Sequence, residues 1–442
     1  MRKFLRRAIV LFLCNASILS NAQLQVTTIA GSGLEGNANG QGANASFYLP
    51  YGVDVDVSGN IFVADYANHL IRKITSNGTV STFAGSGQNK FENGIGTNAS
   101  FDNPFDLTFD ASGNMYVSDL SNSLIRKITP AGVVTTLAGC GFQGSADGTG
   151  TTACFSNPQG IICDASGNVY EADQGNVMIR KITPSGAVTN FAGSGDNGNG
   201  NGTGKDASFA SPCGLAIDAY GNIYVADLAN NLIRKITPSR VVSTFAGSGE
   251  QGFKDGTGNN ASFNSPSGLD VDASGNIYVA DLGNNAIRKV TPEGVVTTLA
   301  GTGEPGDVDG DTSIAQFYWP SDVAIDKSGN LIITDLKNNK IKKINMNITP
   351  TGITPSAIAS DVKVYPIPAS DYFTVGLTIK NGSDVRLDLI NSEGLKVISS
   401  TGFYESGNQE LTLSVQSLTE GLYIANIYAG NQMTSQKIVI VK

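Results

Sequence analysis

The sequence predicts an all-β fold: a six-bladed β-propeller closed by an N-terminal strand and followed by a small C-terminal β-sandwich. Three observations predict it. The first is a period of 54 residues without insertion: Asp65, Asp119, Asp173, Asp227, Asp281 and Asp335 share one column, and Pro50, Pro104, Pro158, Pro212, Pro266 and Pro320 another. A period of this length marks stacked supersecondary units. The second is four short β-rich runs in each unit, which is the pattern of a propeller blade. The third is a strand missing from the last unit and surplus before the first.

The fourth copy shows the elements in order. Residues 214–218 (GLAID) and 223–227 (IYVAD) are apolar, β-prone runs separated by the turn AYGN. Residues 232–237 (LIRKIT) and 241–246 (VVSTFA) follow, each after a turn. Residues 247–260 form a long Gly/Asn/Asp loop that leads into the next copy. Branched and aromatic residues bounded by Gly, Asn, Asp and Pro predict strands rather than helices. The sixth copy keeps DVAID, LIITD and KIKKI (322–326, 331–335 and 340–344) and then lacks its VVTTLAG-like strand. That strand stands at residues 26–31 (VTTIAG), so pairing the two ends closes the ring and removes two exposed sheet edges.

The flanks differ from the repeat. Residues 1–22 read as a secretory signal, with Arg2, Lys3, Arg6 and Arg7 before an apolar run too short to span a bilayer. The formal net charge is −9, and these 22 residues hold four basic and no acidic groups, so the remainder is more acidic still. Such a surface repels phosphate backbones and excludes nucleic acid as a partner. No later stretch is long and apolar enough for a transmembrane segment. Cys140 and Cys154 both lie in the third copy at serine columns and are a candidate disulfide in an exported protein. Cys163 falls on an apolar strand column and reads as a buried free thiol, while Cys213 has no assignment. Residues 23–346 form the repeat region, 347–360 a Pro/Thr/Ser linker, and 361–442 a run of alternating strands expected to form a sandwich.

The stretch PCGLAIDAYGNIYVADLANNLIRK (212–235), recurring in every copy, resembles the NHL-repeat propellers. The tail resembles the C-terminal sorting domain of type IX secretion cargo through Tyr365-Pro366-Ile367-Pro368-Ala369, Gly421-Leu422-Tyr423 and the terminal KIVIVK, although that family usually has Asn where Ile367 stands. The second resemblance implies two-step export, type IX machinery as a partner, and a surface-attached or released product. The alternative is an ordinary protein- or carbohydrate-binding sandwich.

A residue present in all copies serves what every blade needs, so unique function is sought in departures. The Asp column, Asn three positions later and Arg or Lys seven positions later are architectural on that logic. Five loops match G-x-G-x-x-G, but no helix follows the glycines, so no dinucleotide cofactor is implied. Glu171 interrupts a Val/Ile column; it is either a pocket or channel acid, or a solvated or locally paired carboxylate. Asp307, Asp309 and Asp311, with Glu304, stand in the sixth long loop, and are either a calcium site or a solvated acidic loop. Trp319, the only tryptophan, sits beside the column proline as either a stacking residue or rim packing. His69, the only histidine, stands in a turn column and cannot build a triad or a His-rich metal site alone. Glu171, Trp319 and His69 are therefore the candidate ligand-binding residues. Two functions follow: a secreted module whose loop face binds a protein or glycan, or a carboxylate- or calcium-dependent propeller enzyme of lyase or lactonase type.

Overall fold

The computed structural model describes residues 24–346 and 359–442, apart from 380–381, 392–394 and 430–431. The expected signal segment, with Cys14, and all but the last two linker residues lie outside the described residues. The chain divides into two compact units, one ending at Ile348 and the other beginning at Thr349.

The first unit contains six antiparallel sheets, one per repeat. In the fourth blade Pro212–Ile217 is innermost, followed outward by Ile223–Asp227, Leu232–Ile236 and Val241–Ala246. Each blade also carries a fifth, two-residue strand that sequence reading did not anticipate, such as Gly202–Thr203, paired with Val241 and Val242. Two residues are too few for a readable alternation. The strand exists because the Gly-rich loop returns along the outer strand and covers part of a free edge.

The sixth blade is assembled from both ends. Gln25–Ala30 pairs antiparallel with Lys340–Asn345, with Val26 opposite Ile344 and Thr28 opposite Lys342. The apolar core is not central but lies between blades. One such layer joins Phe47, Val63, Ile74 and Val80 of blade one to Ala30, Ala324, Ile332 and Ile341 of blade six. The six equivalent phenylalanines, from Phe47 to Phe317, are fully buried in these layers. In the third blade a disulfide joins Cys140 to Cys154. Cys163 is free and partly exposed rather than fully buried, and Cys213 is free and buried.

The second unit has a three-stranded and a four-stranded sheet around a core that includes Phe373, Val375, Leu387, Tyr423 and Ile438. Its Lys396–Tyr404 strand escaped the sequence reading because KVISSTGFY lacks apolar alternation and is largely exposed.

Candidate functional site

The three repeating polar columns meet in one network. In blade one Asp65 Oδ1 accepts the Tyr48 N–H (2.8 Å), while Oδ2 accepts from Asn68 Nδ2 and Arg72 Nη1 (2.8 Å each). Arg72 also donates to the Ser46 and Ala38 carbonyls and to Asn39 Oδ1. Its guanidinium lies 5.1 Å from the centre of the Phe47 ring. One buried ion pair thus ties the long loop to the body of the blade, and Arg126, Arg180, Arg234 and Arg288 repeat the Asp contact. Burial without these bonds would leave an uncompensated charge.

The sixth blade carries Lys342 instead. A lysine is a point charge without the guanidinium fork. It lies 3.4 Å from Asp335, and it gathers Asp307 (3.0 Å), Asp309 (3.3 Å) and the Gln316 carbonyl (3.1 Å). Asp309 also accepts from the Thr28 N–H and hydroxyl, Asp307 pairs with Lys340, and Asp311 accepts from the Gln25 amide. The acidic loop is therefore the counter-charge of a substituted cation and a clasp on the closing strand. Its three aspartates do not converge on a common point, and no metal-holding cluster of His, Cys, Asp or Glu occurs among the described residues.

His69 sits in an inter-blade latch. Its Nδ1 accepts the Asn103 N–H of the next blade at 3.0 Å, which requires that nitrogen to be unprotonated. Asn231, Asn285 and Asn339 do the same with Oδ1 for Ser265, Trp319 and Leu49. The histidine is an asparagine surrogate at a turn with left-handed backbone (φ 56°), not the centre of a site. Val177, at the same column, offers no acceptor.

The latched column carries the conspicuous departure. Asn103, Asn157 and Ser265 adopt left-handed backbone there, and so do Leu49 (φ 51°) and Trp319 (φ 56°). Asparagine tolerates this region; a bulky side chain in it is strained by roughly 1–2 kcal/mol. Trp319 is 41% exposed, stands at a 71° tilt to Tyr318, and has Lys337 Nζ 5.1 Å from its ring centre. Toward the axis on the adjoining blades, Tyr51, Tyr66 and Phe105 cluster, with Tyr51 and Phe105 only 3.8 Å apart. An aromatic group therefore stands on blades six, one and two of the loop face, and the long loops add the exposed Phe91, Phe142 and Phe253.

The axis itself holds four aspartates absent from the candidates of the sequence, Asp322 buried and Asp54, Asp106 and Asp270 half-buried. Asp106 accepts from the Leu107 N–H and from Ile161 of the next blade (2.7 and 3.0 Å). Asp270 does likewise with Val271 and Ile325, Asp322 takes the Val53 N–H, and Asp54 takes that of Val55. They are bridges between inner strands. Their signal was legible as departures: where Asp106 and Asp322 replace the glycine of the inner strand, Ser118 and Thr334 replace alanine on the next strand. Ser118 Oγ bonds the Asp106 backbone and Thr334 Oγ1 the Tyr51 carbonyl. The fit is tight, since a Cβ on Gly268 would stand 1.9 Å from Asp322 Oδ1. Tyr51 reaches from blade one to Ser267 of blade five (3.0 Å). Burial first, then Asp270, lifts Asp54 to about 8, and burial lifts Asp106 to about 7. Burial pushes the Cys213 thiol up to about 12.

Glu171 is not among these acids. It stands one strand outward, opposite Ile161 and Arg180, fully buried at the seam of blades two and three. Neither carboxyl oxygen meets a donor at full hydrogen-bond geometry, and the backbone N–H of Gln159 is a neighbouring donor that favours its charged form. The Arg180 Nη groups turn to Asp173, Asp147 and two carbonyls, and its buried Nε makes no hydrogen bond, to Glu171 or to any other group. Burial, and then Asp173, hold the Glu171 pKa well above the carboxylate range against the pull of Arg180. Glu171 thus stands as a buried carboxyl in the second strand, with Arg180 as its neighbouring cation.

The geometry defines a class: a closed six-bladed β-propeller whose loops and turns gather at one face. The NHL-repeat profile matches residues 47–74, a teneurin NHL domain profile matches 246–349, and a secretion system C-terminal sorting domain profile matches 363–441. The propeller is built of NHL repeats, and the tail is a secretion-system sorting domain. Human NHL repeat-containing protein 2 is 28% identical over 70% of this chain and 48% of its own length. Mouse teneurin-3 is 26% identical over 70% of this chain and 13% of its own length. The chain thus spans less than half of these curated relatives. An auxiliary nutrient binding protein from Bacteroides thetaiotaomicron superposes with a TM-score of 0.57 at 18% identity, over 73% of this chain and 76% of that one. The sorting domain implies export and a cell-surface or extracellular location, and no helix among the described residues is long and apolar enough to cross a membrane.

Two predictions follow from the buried acids. Asp54 and Asp106 keep their protons in the folded state above the pH at which the unfolded chain loses them. Their contribution is fully present below about pH 4 and lost as pH rises toward about 8. Asp56, Asp307 and Asp326 are lowered and act only below that window. Melting temperature should therefore fall from pH 5 to pH 8, and Asp54→Asn should flatten the slope; an equal slope in both proteins contradicts the assignment. Glu171→Val, which restores the residue of four other blades, should stabilise by about 1–3 kcal/mol in urea unfolding at pH 8.

Proposed function

We propose that this chain is a secreted, surface-sorted binding module whose long-loop face engages a protein or glycan, with Trp319, Tyr318 and Leu49 at the contact. The observation that carries this reading is the strained presentation of Trp319 and Leu49 on adjacent blades. Strain at a position where asparagine serves elsewhere is retained when the side chain itself is needed. Exposed aromatic residues with few rotamers are the usual anchors of recognition surfaces. The description of a propeller of the same fold as an auxiliary nutrient binding protein supports capture rather than turnover. The enzyme alternative draws no support from the axis, where the carboxylates are engaged by backbone N–H groups.

The tail supports delivery through the inner membrane and then by type IX machinery. Its motif residues converge: Ala369 bonds Val439 and Val441, Tyr365 donates to Glu410, and Tyr423 is buried with its hydroxyl on the Thr419 carbonyl. Pro366 and Pro368 flank the exposed Ile367, and Gly421 opens the strand that Tyr423 anchors. Leu422, Ile424, Val439 and Val441 leave an exposed apolar strip for a partner of the sorting step.

Glycan and peptide arrays with the propeller test the binding reading. Trp319→Asn and Leu49→Asn should each lose at least tenfold in affinity for the array hit while keeping or gaining up to about 1 kcal/mol of stability. Equal affinity in all three proteins refutes the site. Deleting residues 361–442 should leave the protein in the periplasm, as read by fractionation; normal surface display would refute the sorting role.

A further inference from the structure

A second site lies at the other end of the innermost strand of blade six, Pro320–Ile325, among hairpin turns at the seam with blade one. Its origin is visible in the repeat. In four blades a tyrosine on the second strand packs its ring between blades and donates its hydroxyl to a turn aspartate: Tyr116 to Asp110 (3.0 Å), Tyr170 to Asp164, Tyr224 to Asp218 and Tyr278 to Asp272. Blade one has Phe62 at this column. A lysine covers each of these five rings, with Lys73, Lys127, Lys181, Lys235 and Lys289 between 5.3 and 5.9 Å from the ring centres. Phe83, Phe191 and Phe245 of the outer strand close the edge of three of them.

Blade six keeps the frame and lacks the ring. Ile332 stands at the tyrosine column and Ile29, on the closing strand, at the Phe/Leu column. The covering lysine, Lys343, turns instead onto the turn aspartate, Asp326, at 2.9 Å. What results is a groove of about 490 Å³, floored by Ile29, Ile61, Ile74 and Ile332 and bordered by Asp326 and Lys343. That volume falls within the roughly 300–1,000 Å³ of small-ligand sites.

We propose that this seam groove binds a small phenolic molecule. The ring occupies the place taken by tyrosine in the other blades, its hydroxyl donates to Asp326, Lys343 lies over its face, and Ile29 closes its edge. The four isoleucines favour a ring against the floor, the polar rim of Gln41, Thr75, Ser76 and Asn77 faces solvent, and Asp326, the single carboxylate of the lining, favours a hydroxyl over a bare ring. The site lies apart from Trp319, so neither reading depends on the other.

The experiment is a titration of the full mature chain with p-cresol, followed by melting temperature and by methyl NMR, with toluene as the control. Saturable stabilisation by p-cresol is expected, with toluene roughly tenfold weaker for want of the charged hydrogen bond. Ile332→Tyr should fill the groove, raise the melting temperature by itself and abolish the p-cresol response. The proposal is overturned if p-cresol shows no saturable binding, or binds Ile332→Tyr as it binds the parent. Should that variant not fold, NOEs from the p-cresol ring to the methyls of Ile29 and Ile332 decide in the parent chain, and their absence overturns the proposal equally.

Discussion

The structure depends on a buried ion pair between the last residue of each second strand and a cation on the third. Asp65 and Arg72, and their equivalents, are wholly inaccessible to solvent. The pair is tolerable because the two Nη groups of each arginine are met by loop carbonyls and by an asparagine or aspartate of the same loop. Through those bonds a glycine-rich loop with no apolar face of its own is held against the blade. The loop then covers the outer edge and delivers the next innermost strand at a set height. Ring geometry is thus a consequence of six local polar networks, with the apolar layers between blades supplying the burial.

Departures from the repeat acquire meaning against that network. Lys342 without the fork explains why the sixth loop alone is acidic at both Asp307 and Asp309. His69 explains itself as an acceptor in a latch that asparagine serves in three other blades. Glu171 has no such account: it is a buried carboxyl beside a cation already committed elsewhere. Trp319 and Leu49 go the other way, since both strain the backbone, with the Trp319 ring exposed and Leu49 half-buried beside the loop face. The aspartates of the axis show that a cluster of acids in a propeller centre is also a way to join inner strands whose glycines bring them too close for ordinary side chains.

The seam between blades six and one adjoins the blade in which the two ends of the repeat region pair, and its side chains depart from the other junctions. The closing strand supplies Ile29 where the other blades carry Phe or Leu, and the second strand supplies Ile332 where they carry Tyr or Phe. A closure strand drawn from the opposite end of the chain must find its register across the whole ring. Its bonds to Asp309 and to Asp311, which pairs with Gln25 on the outer edge of the same sheet, fix that register.

Much of this was legible without coordinates. An uninterrupted period establishes equivalence of positions, and equivalence turns one readable blade into six. Strand order, closure and the architectural rank of the Asp, Asn and Arg columns follow, because hydrophobic alternation and turn chemistry are local. What the sequence could not settle was which groups meet across blades. That His69 faces Asn103, that Asp106 bridges to Ile161, and that the Arg180 fork turns to Asp147 and the loop carbonyls instead of to Glu171 depend on contacts between segments dozens of residues apart. The backbone sign of Trp319 and the missing ring beside Ile332 likewise emerge only when blades pack. Local propensity is written in the chain; the partners of buried polar groups are decided by the close-packed interior that the whole ring creates.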